Sequence, residues 1–479
     1  MTSWLKATFY DPFVVWIDSG ILVFLANFVT VLGFVLALLI IRRAFSEKRN
    51  PSNFFAWFLL VLFIPPLGVP LYFMFGGRKS RKMALLKKTV ADQARALVAN
   101  HQAGREVSAE PSGGGNRFEL LADGVATYER LCHEIGAAEH TIHIATYILG
   151  KDAVGTKLVE LLTERASEGV KVRLLLDSLG SWNNTRLARL KIRQAGGEVA
   201  MFMPVLPIQT QTSSNLRNHR KIAIFDHQRA ITGGQNLDAR FLAEKMHPGL
   251  FADFSVVTEG PAVAQLSQTF ISDWAFARKE APERFRDVLG YVPEAVGASR
   301  VKIVESGPDV PNDPLWEWIL ILIQEFDEDL TIVTPYFVPD EVIQQSLVIK
   351  ARTDRKIRLV LPLQSNQRIA DIARYNYLEE LHEAGVEVFF YPDGMLHAKL
   401  IIADNYAAMI GSANVDMRSL FVNFEIGLLH YSPADIAKLR SWAETIARQC
   451  IQYKDALNGH SKMPSKFSRD LVQLIVPLL

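Results

Sequence analysis

The chain contains one seven-position pattern twice, with the same internal spacing. Counted from a histidine, a lysine stands at +2, an aspartate at +7, a glycine at +14, an asparagine at +17, a second aspartate at +19 and an arginine at +21. The two copies are His219, Lys221, Asp226, Gly233, Asn236, Asp238 and Arg240, and His397, Lys399, Asp404, Gly411, Asn414, Asp416 and Arg418. Chance rarely keeps seven positions in register between segments 178 residues apart. The pattern therefore predicts an internal duplication in which each half carries the same chemistry.

Strand-like and helix-like segments alternate in the same order in both halves. The order is strand, helix, strand, at 140–148, 155–166 and 170–176 in the first half and at 330–336, 340–350 and 357–363 in the second. Apolar strands that alternate with helices predict an α/β fold, with helices packed on the faces of each sheet.

The composition of the chain divides it into four predicted segments. They are a membrane anchor at 1–78, a basic helix and flexible linker at 79–116, a first half at 117–290, and a second half at 291–479 that ends in a helix and an apolar tail.

The N-terminal region is far more apolar than the rest of the chain. Residues 19–41 contain no charged residue, and a second uncharged run is centred on 54–75. Each run reaches the ~20 residues that cross a bilayer core of about 30 Å. We expect two membrane spans, with a pair of buried core helices as the alternative. Pro65, Pro66 and Pro70 interrupt the second run, which leaves a kinked or re-entrant segment open.

Basic residues cluster directly after the second apolar run, at 78–88. The positive-inside rule then places the rest of the chain in the cytoplasm, although the short link between the two runs is also basic. A basic cluster beside a membrane is typical of attraction to anionic lipid headgroups. A formal net charge of only +1 argues against a general nucleic-acid-binding surface. The expected partners are the lipid bilayer and its phospholipids, and no nucleic acid is expected.

Each histidine–lysine pair stands at the start of an apolar segment, 221–225 and 399–403. Side chains two residues apart on a strand point to the same face, so the histidine and lysine of each copy project into one site. The aspartate at +7 has the opposite parity and falls at the turn that closes the strand. A hairpin return then brings the glycine and asparagine back beside the pair, where glycine permits close backbone approach.

Two such half-sites suit attack on a phosphodiester. One imidazole can act as the nucleophile at phosphorus while the other protonates the leaving oxygen. Two lysines and two amides can stabilise the charge on the non-bridging oxygens, a role that metal ions fill in many phosphoryl-transfer enzymes. No metal or cofactor is therefore expected. The predicted catalytic residues are His219, Lys221, Asp226, His397, Lys399 and Asp404, and the predicted phosphate-binding residues are Asn236 and Asn414.

Two alternatives bear on this interpretation. A single histidine–lysine–aspartate pattern is more often a solvated strand edge, but two copies with glycine and asparagine at the same offsets argue against that. For Asp226 and Asp404, bracing the turn without touching substrate stays open.

The doubled pattern resembles the phospholipase D superfamily over about residues 117–450. The resemblance implies two pseudo-symmetric sheet-and-helix halves that form one active site, a covalent phosphohistidine intermediate and no metal. It also implies that an acidic residue beyond each asparagine orients a histidine; the best matches are Asp253 and Glu425. By the same analogy His219 would be the nucleophile and His397 the general acid and base. The residues themselves leave that order open.

Within the superfamily the chain looks most like the bacterial cardiolipin synthases. The features that carry this are the N-terminal apolar hairpin, Phe-Ile-Pro-Pro-Leu-Gly at 63–68, and Pro-Tyr-Phe-Val-Pro at 335–339. The resemblance implies transfer between two phosphatidylglycerol molecules at the bacterial inner membrane, giving cardiolipin and glycerol. A membrane-bound phospholipase D that uses water as acceptor, a different donor lipid, a tethered nucleic-acid phosphodiesterase and an inactive lipid-binding scaffold remain as rivals.

Overall fold

The computed structural model describes residues 51–64, 81–102, 113–182, 185–203 and 216–460, with isolated residues outside these ranges. The chain divides into two compact units, Met1–Gly77 with Thr210–Thr212 and Leu474–Leu479, and Arg78–Gln209 with Ser213–Gln473. Both copies of the duplicated pattern belong to the second unit.

The N-terminal unit is described mainly through one helix, α1 (Pro51–Phe63), which carries no charged residue. Among the described residues, no helix is both long enough and apolar enough to cross a membrane. The predicted first span at 19–41 and the end of the second span at 54–75 lie largely outside the described residues.

Helix α2 (Arg81–Gln102) falls within the predicted basic helix. Its Lys87 is buried, with Nζ 2.9 Å from Asp273 and 3.2 Å from Asp309. The expectation that the basic cluster at 78–88 faces lipid headgroups is therefore wrong for Lys87, because two buried carboxylates hold its ammonium group inside the protein. Of the predicted flexible linker, residues 103–112 lie outside the described part of the chain, and Asn116 at its end is buried and bridges to Ser299.

The first half is a seven-stranded sheet in the order β1-β7-β6-β5-β2-β3-β4. Strands β2, β3 and β4 are parallel to one another, and the remaining neighbours pair antiparallel. The strands are β1 (Arg117–Leu121), β2 (Thr141–Thr146), β3 (Lys171–Asp177), β4 (Glu198–Phe202), β5 (Ile222–Phe225), β6 (Arg229–Gly233) and β7 (Ser255–Glu259). The helices are α3 (Gly124–Ala137), α4 (Ala153–Ser167), α5 (Thr185–Gln194), α6 (Ala262–Arg278) and α7 (Arg286–Leu289), with a 3-10 turn at Pro282–Phe285.

Local sequence explains these elements. Every residue of β2 is buried, as is typical of a strand inside a parallel sheet that helices cover on both faces. The carboxylate of Asp123 accepts the backbone N–H groups of Val125 and Ala126, and that of Asp152 accepts the N–H of Gly155. These contacts satisfy otherwise unpaired donors at the start of α3 and α4.

The second half is an eight-stranded sheet in the order β17-β12-β11-β9-β13-β14-β16-β8. Its strands are β8 (Val301–Ser306), β9 (Asp329–Val333), β11 (Lys356–Pro362), β12 (Glu387–Tyr391), β13 (Leu400–Ala403), β14 (Ala407–Gly411), β16 (Glu425–His430) and β17 (Ile451–Gln452), and β10 (Phe337–Val338) pairs separately with β15 (Val415–Asp416). The helices are α8 (Pro314–Glu325), α9 (Glu341–Ala351), α10 (Arg368–Glu383), α11 (Met417–Phe421), α12 (Pro433–Ala447) and α13 (Tyr453–Asp455), followed by a π-helical turn at Ala456–His460.

The two sheets have the same topology. Read from the opposite edge, the second order is β8-β16-β14-β13-β9-β11-β12, which matches the first strand for strand, with β17 added at one edge. Each half thus places a parallel trio beside an antiparallel hairpin. The predicted pair of α/β halves is confirmed, while the boundary at 290–291, just after α7, stays a prediction.

Besides a core within each half, one cluster of buried residues spans both. It includes Phe254 and Trp274 from the first half and Phe424 and Trp442 from the second. The ring centroid of Trp442 lies 4.6 Å from that of Phe254, and its indole N–H donates to the carbonyl oxygen of Ala122 at 2.8 Å. The halves therefore pack as one body, with the duplicated motifs at the seam.

Candidate active site

The two histidine–lysine pairs lie at matching edges of the two sheets. In β5, Ile222 is opposite Ala145, near the carboxyl end of β2, and in β13, Leu400 is opposite Val333, the last residue of β9. The strands begin one residue after each lysine. Each pair therefore sits where the parallel strands of its sheet end, the edge at which α/β sheets generally bind ligands.

Short parallel bridges join the halves beside each histidine. The backbone N–H of His219 donates to the carbonyl oxygen of Phe424 at 2.9 Å, and the N–H of Phe424 donates to Arg217 at 2.9 Å. In the second bridge the N–H of His397 donates to Ala252 at 2.8 Å. Each bridge carries the residue before an acidic side chain, so it brings that acid to the histidine of the opposite half.

The imidazole of His219 faces Glu425. Its Nδ1 atom lies 3.0 Å from Oε1 of the carboxylate and 3.1 Å from the carbonyl oxygen of Ser412. The hydroxyl of Ser412 and the amide of Asn423, at 3.1 Å, donate to the same carboxylate. Burial would raise the pKa of Glu425, but the imidazole, its hydrogen bond and Lys221 hold that pKa below its ordinary value. Glu425 is therefore a buried, ionised partner of His219.

The imidazole of His397 faces Asp253 in the same way. Its Nδ1 atom lies 2.9 Å from Oδ2 of Asp253, which also accepts the backbone N–H of Phe254 at 2.8 Å through Oδ1. Burial raises the pKa of Asp253 to about 6, and Lys399 opposes that shift. A Cβ at Gly234 would stand 2.8 Å from this carboxylate, so a glycine is needed for the approach. A similar need holds at Gly411, where φ is +152° and a Cβ would meet the carbonyl oxygen of Ile426 at 2.1 Å.

Both imidazoles are nearly enclosed. Burial lowers the pKa of His219, against the opposing effect of Glu425. Burial, followed by the charges of Lys399 and Lys221, lowers the pKa of His397 well below its ordinary value. Since Nδ1 of each ring faces a carboxylate, Nε2 is the nitrogen left for chemistry in both.

The lysines reach back toward the histidines. Nζ of Lys221 donates to the carbonyl oxygen of His219 at 2.7 Å, and Nζ of Lys399 donates to the carbonyl oxygen of His397 and lies 2.7 Å from its Nδ1. Burial lowers the pKa of Lys221 to about 7 and that of Lys399 to about 8. An anionic phosphate would favour the charged form of both side chains.

The two asparagines make different hydrogen bonds. Oδ1 of Asn236 accepts the backbone N–H of Ile148 at 3.3 Å. Nδ2 of Asn414 donates to Asp416 at 3.0 Å, while its buried Oδ1 atom has no hydrogen-bond partner in the described part of the chain. Each amide thus keeps at least one group that these hydrogen bonds do not use.

Asp226 and Asp404 do not join the site. Each follows the far end of its hairpin strand, about 20 Å along the chain from its histidine at ~3.3 Å per residue. The carboxylate of Asp226 accepts the backbone N–H groups of Glu139, His140 and Thr141 at 2.8–2.9 Å. That of Asp404 accepts the N–H groups of residues 327–329 at 2.7–3.0 Å. The predicted catalytic role does not fit this placement, and the turn-bracing alternative does.

Three further residues, which the sequence did not predict for the site, contact its histidines or acids. The ring of Tyr147 meets His219 edge-on at 5.2 Å, and that of Phe241 meets His397 at 4.8 Å. Arg220, between His219 and Lys221, donates to the carbonyl oxygen of Glu425 at 3.1 Å and to Asp273 at 2.8 Å. The alternation of strand side chains points Arg220 away from the site, so only its bulk and charge could have suggested a buried partner.

Comparison with known families supports the resemblance. The family model described as "Cardiolipin synthase, PLD-like domain" matches residues 131–274 and 319–447, and one described as "Phospholipase_D-nuclease N-terminal" matches 31–77. The chain belongs to the cardiolipin synthase family. The curated cardiolipin synthase of Alkalihalophilus pseudofirmus is 31% identical over 83% of this chain and 83% of the relative, and that of Oceanobacillus iheyensis is 31% identical over 96% and 100%.

The solved structures add evidence on the fold. The crystal structure of phosphatidylserine synthase from Haemophilus influenzae superposes with a TM-score of 0.59 at 15% identity, over 75% of this chain and 92% of that chain. At this identity the likeness concerns the fold alone.

Proposed function

We propose that this member of the cardiolipin synthase family transfers a phosphatidyl group between two phosphatidylglycerol molecules, through a phosphohistidine on residue 219. The observation that carries the proposal is the crosswise pairing, in which each imidazole faces a carboxylate of the opposite half. Two oriented imidazoles are what a double displacement at phosphorus requires. The family membership and the curated relatives named cardiolipin synthase support the choice of substrate.

In the first step Nε2 of His219 attacks phosphorus and the bond to the distal glycerol oxygen breaks. The imidazolium of His397, a form that the bound phosphate anion favours, gives its proton to that oxygen, and glycerol leaves. Phosphorylation places positive charge on the His219 ring, which the Glu425 carboxylate stabilises. Lys221, Lys399 and the two asparagine amides surround the non-bridging oxygens.

In the second step the neutral His397 removes the proton from a terminal hydroxyl of a second phosphatidylglycerol. The resulting oxygen attacks phosphorus, the nitrogen–phosphorus bond breaks, and cardiolipin leaves with His219 restored. Water in place of the second lipid would give phosphatidic acid, so exclusion of water decides between transfer and hydrolysis.

The choice of His219 as nucleophile rests on the two acids. Glu425 has a pKa below its ordinary value, whereas burial raises the pKa of Asp253 to about 6. The more firmly ionised carboxylate is the better partner for a ring that becomes cationic on phosphorylation.

The proposal extends to location. The uncharged runs at 19–41 and 54–75 would anchor the chain as two spans of the bacterial cytoplasmic membrane, with the catalytic halves on the cytoplasmic side. The match to an N-terminal family at 31–77 supports a distinct N-terminal element.

Product analysis by mass spectrometry tests the function. The purified full chain in detergent, given phosphatidylglycerol alone, should form cardiolipin and glycerol in equal amounts, and His219→Ala should form neither. His397→Ala should still accumulate a phosphatidyl group on the peptide that contains His219, although more slowly. Phosphatidic acid as the main product would instead identify a hydrolase, and a modified His397 would reverse the order of the histidines.

A further inference from the structure

An apolar and basic surface lies at the edge of the first sheet that carries His219. We define the rim patch as Leu179, Trp182, Leu187 and Leu190, which are 48%, 50%, 72% and 51% exposed. The last two lie on α5, whose ten residues include four basic side chains and no acidic one. Several large apolar side chains exposed next to a group of basic side chains are unusual on the surface of a soluble protein. Such a surface marks an interaction site.

The rim patch is hydrogen-bonded directly to the segment that carries His219. Oδ1 of Asp177 accepts the N–H groups of Leu179 and Gly180 at 2.8 and 3.1 Å, and its Oδ2 accepts the N–H of Asn218 at 2.9 Å. The hydroxyl of Ser181 donates to the carbonyl oxygen of Tyr147 at 3.0 Å. One buried carboxylate thus joins the loop of the patch to the residue before the catalytic histidine.

The patch also lies at the correct edge of the fold. Strands β2 and β3 are parallel, so the loop after β3 leaves the sheet on the same side as the site. In the second half, the segment after β11 leads to Ile369, which is 45% exposed, with Arg368 next to it. Both halves therefore present an exposed apolar side chain and a basic one at the sheet edge that carries the site.

We propose that the rim patch docks on a bilayer surface that contains anionic phospholipid. The apolar side chains would enter the boundary between headgroups and acyl chains while the basic side chains of α5 meet lipid phosphates, as in helices that lie in the membrane interface. This rests on the proposed function, because docking has a purpose when the substrate is a membrane lipid. It would hold this edge of the sheet over the headgroups, so that a lipid reaches His219 without leaving the bilayer entirely.

Charge selects this occupant over a second copy of the chain. In a symmetric dimer the same patch faces itself, which would bring the four basic residues of one α5 toward those of the other. Such like charges repel, whereas anionic headgroups supply the opposite charge.

A lipid-borne quencher tests the docking without any need for turnover. In the full chain, Cys132→Ser and Cys450→Ser remove the native thiols, and Leu187→Cys supplies one thiol for an environment-sensitive fluorophore. The labelled protein is placed in nanodiscs of phosphatidylglycerol and phosphatidylcholine. Ile349→Cys is the matched control, since Ile349 is 62% exposed and α9 ends at the opposite edge, before the amino end of β11. Lipids with an acyl-chain spin label should quench the fluorophore at 187 and leave that at 349 bright. The proposal would be overturned if the fluorophore at 187 were not quenched. An emission spectrum that shows the fluorophore at 187 to be shielded from water, without quenching by the lipid label, would also overturn it.

Turnover supplies the second measurement. Leu187→Ser/Leu190→Ser should lower cardiolipin formation from bilayer phosphatidylglycerol about tenfold, the factor expected from losing the burial of one leucine or so. The same variant should match the unaltered chain on short-chain phosphatidylglycerol dissolved as monomers, and Ile349→Ser should match it on both. An equal loss on both substrates would overturn the docking role. If the unaltered chain turns over neither substrate, the proposed function is contradicted. The quenching result then decides the docking proposal separately.

Discussion

Glu425 and Asp253 hold equivalent positions, yet their surroundings give them different pKa values. Glu425 receives hydrogen bonds from Ser412 and Asn423, whereas burial raises the pKa of Asp253 to about 6. Two histidines in a duplicated frame thus acquire different electrostatic partners. In the proposed mechanism this difference favours His219 as the ring that is phosphorylated and becomes cationic, and His397 as the ring that exchanges a proton.

Glu425→Gln should therefore lower kcat by about 10²- to 10⁴-fold. This is the range expected when a catalytic histidine loses the carboxylate that orients and stabilises it. The amide can keep a hydrogen bond to His219 but cannot offset the positive charge of the phosphorylated ring. Steady-state kinetics on phosphatidylglycerol, with trapping of the modified peptide, measure the effect.

Asp226→Asn is the control for that loss. This change removes the negative charge of the group that accepts three backbone N–H groups far from the site. Asparagine also tolerates the φ of +50° found at this position. We expect unfolding free energy to fall by about 1–3 kcal/mol with kcat nearly unchanged. A loss of kcat like that of Glu425→Gln would return Asp226 to the catalytic set.

A plot of kcat/KM against pH should fall on both the acid and the alkaline side. Burial lowers the pKa of His219 below 6.5, so its neutral, nucleophilic form is lost only as the pH falls below that value. The pKa values of Lys221 and Lys399 are about 7 and about 8, so their charge is lost as the pH rises, and kcat/KM should decline on the alkaline side. Lys221→Arg, which keeps its charge, should move the alkaline limb upward; an unmoved limb would exclude Lys221 as its source.

At the scale of elements, α2 is held to the catalytic core by charge as well as by apolar packing. Lys87 is 1% exposed and contacts Asp273, whose carboxylate also pairs with Arg220 at 2.8 Å. Asp273 in turn accepts from Asn218 at 2.9 Å. The helix that follows the N-terminal unit in the chain thus completes a buried network around the residues on either side of His219.

Lys87→Met should lower the free energy of unfolding by about 3–5 kcal/mol, because it leaves buried carboxylates without their cation. Lys88→Met, a change at the exposed neighbouring position, should alter it little. Thermal unfolding in detergent, followed by circular dichroism, compares the two. Equal stability of both variants would contradict the buried ion pair.

At the scale of the whole molecule, the histidine of each duplicated motif pairs with an acid of the opposite half. His219 depends on Glu425, 206 residues later, and His397 depends on Asp253, 144 residues earlier. The cluster that includes Phe254, Trp274, Phe424 and Trp442 fixes the two halves against each other. We therefore expect folding of the shared core and assembly of the site to be one event.

Trp442→Ala should weaken both halves together, since Trp442 packs on Phe254 and bonds to Ala122 of the other half. We expect a loss of about 3–5 kcal/mol, a single unfolding transition and a parallel loss of turnover. Trp182→Ala, at an exposed tryptophan, is the control for stability. Two separate transitions in the variant would indicate that the halves fold independently.

The sequence predicted much of this fold because the relevant signals are local. The duplication, the alternation of strands and helices and the same-face projection of His219 with Lys221 all follow from spacing along the chain. The positions of Asp253 and Glu425 came only by resemblance, since their offsets from the motif histidines differ, +34 and +28.

By itself the sequence determined that there are two equivalent halves and that each carries the same histidine, lysine and asparagine. Only the tertiary structure decided that each acid serves the histidine of the opposite half, that Asp226 and Asp404 brace turns, and that Lys87 is buried. The physical reason is that spacing reports which face of an element a side chain occupies. Which face of which element it then meets depends on how the two sheets pack, and that is a property of the whole core.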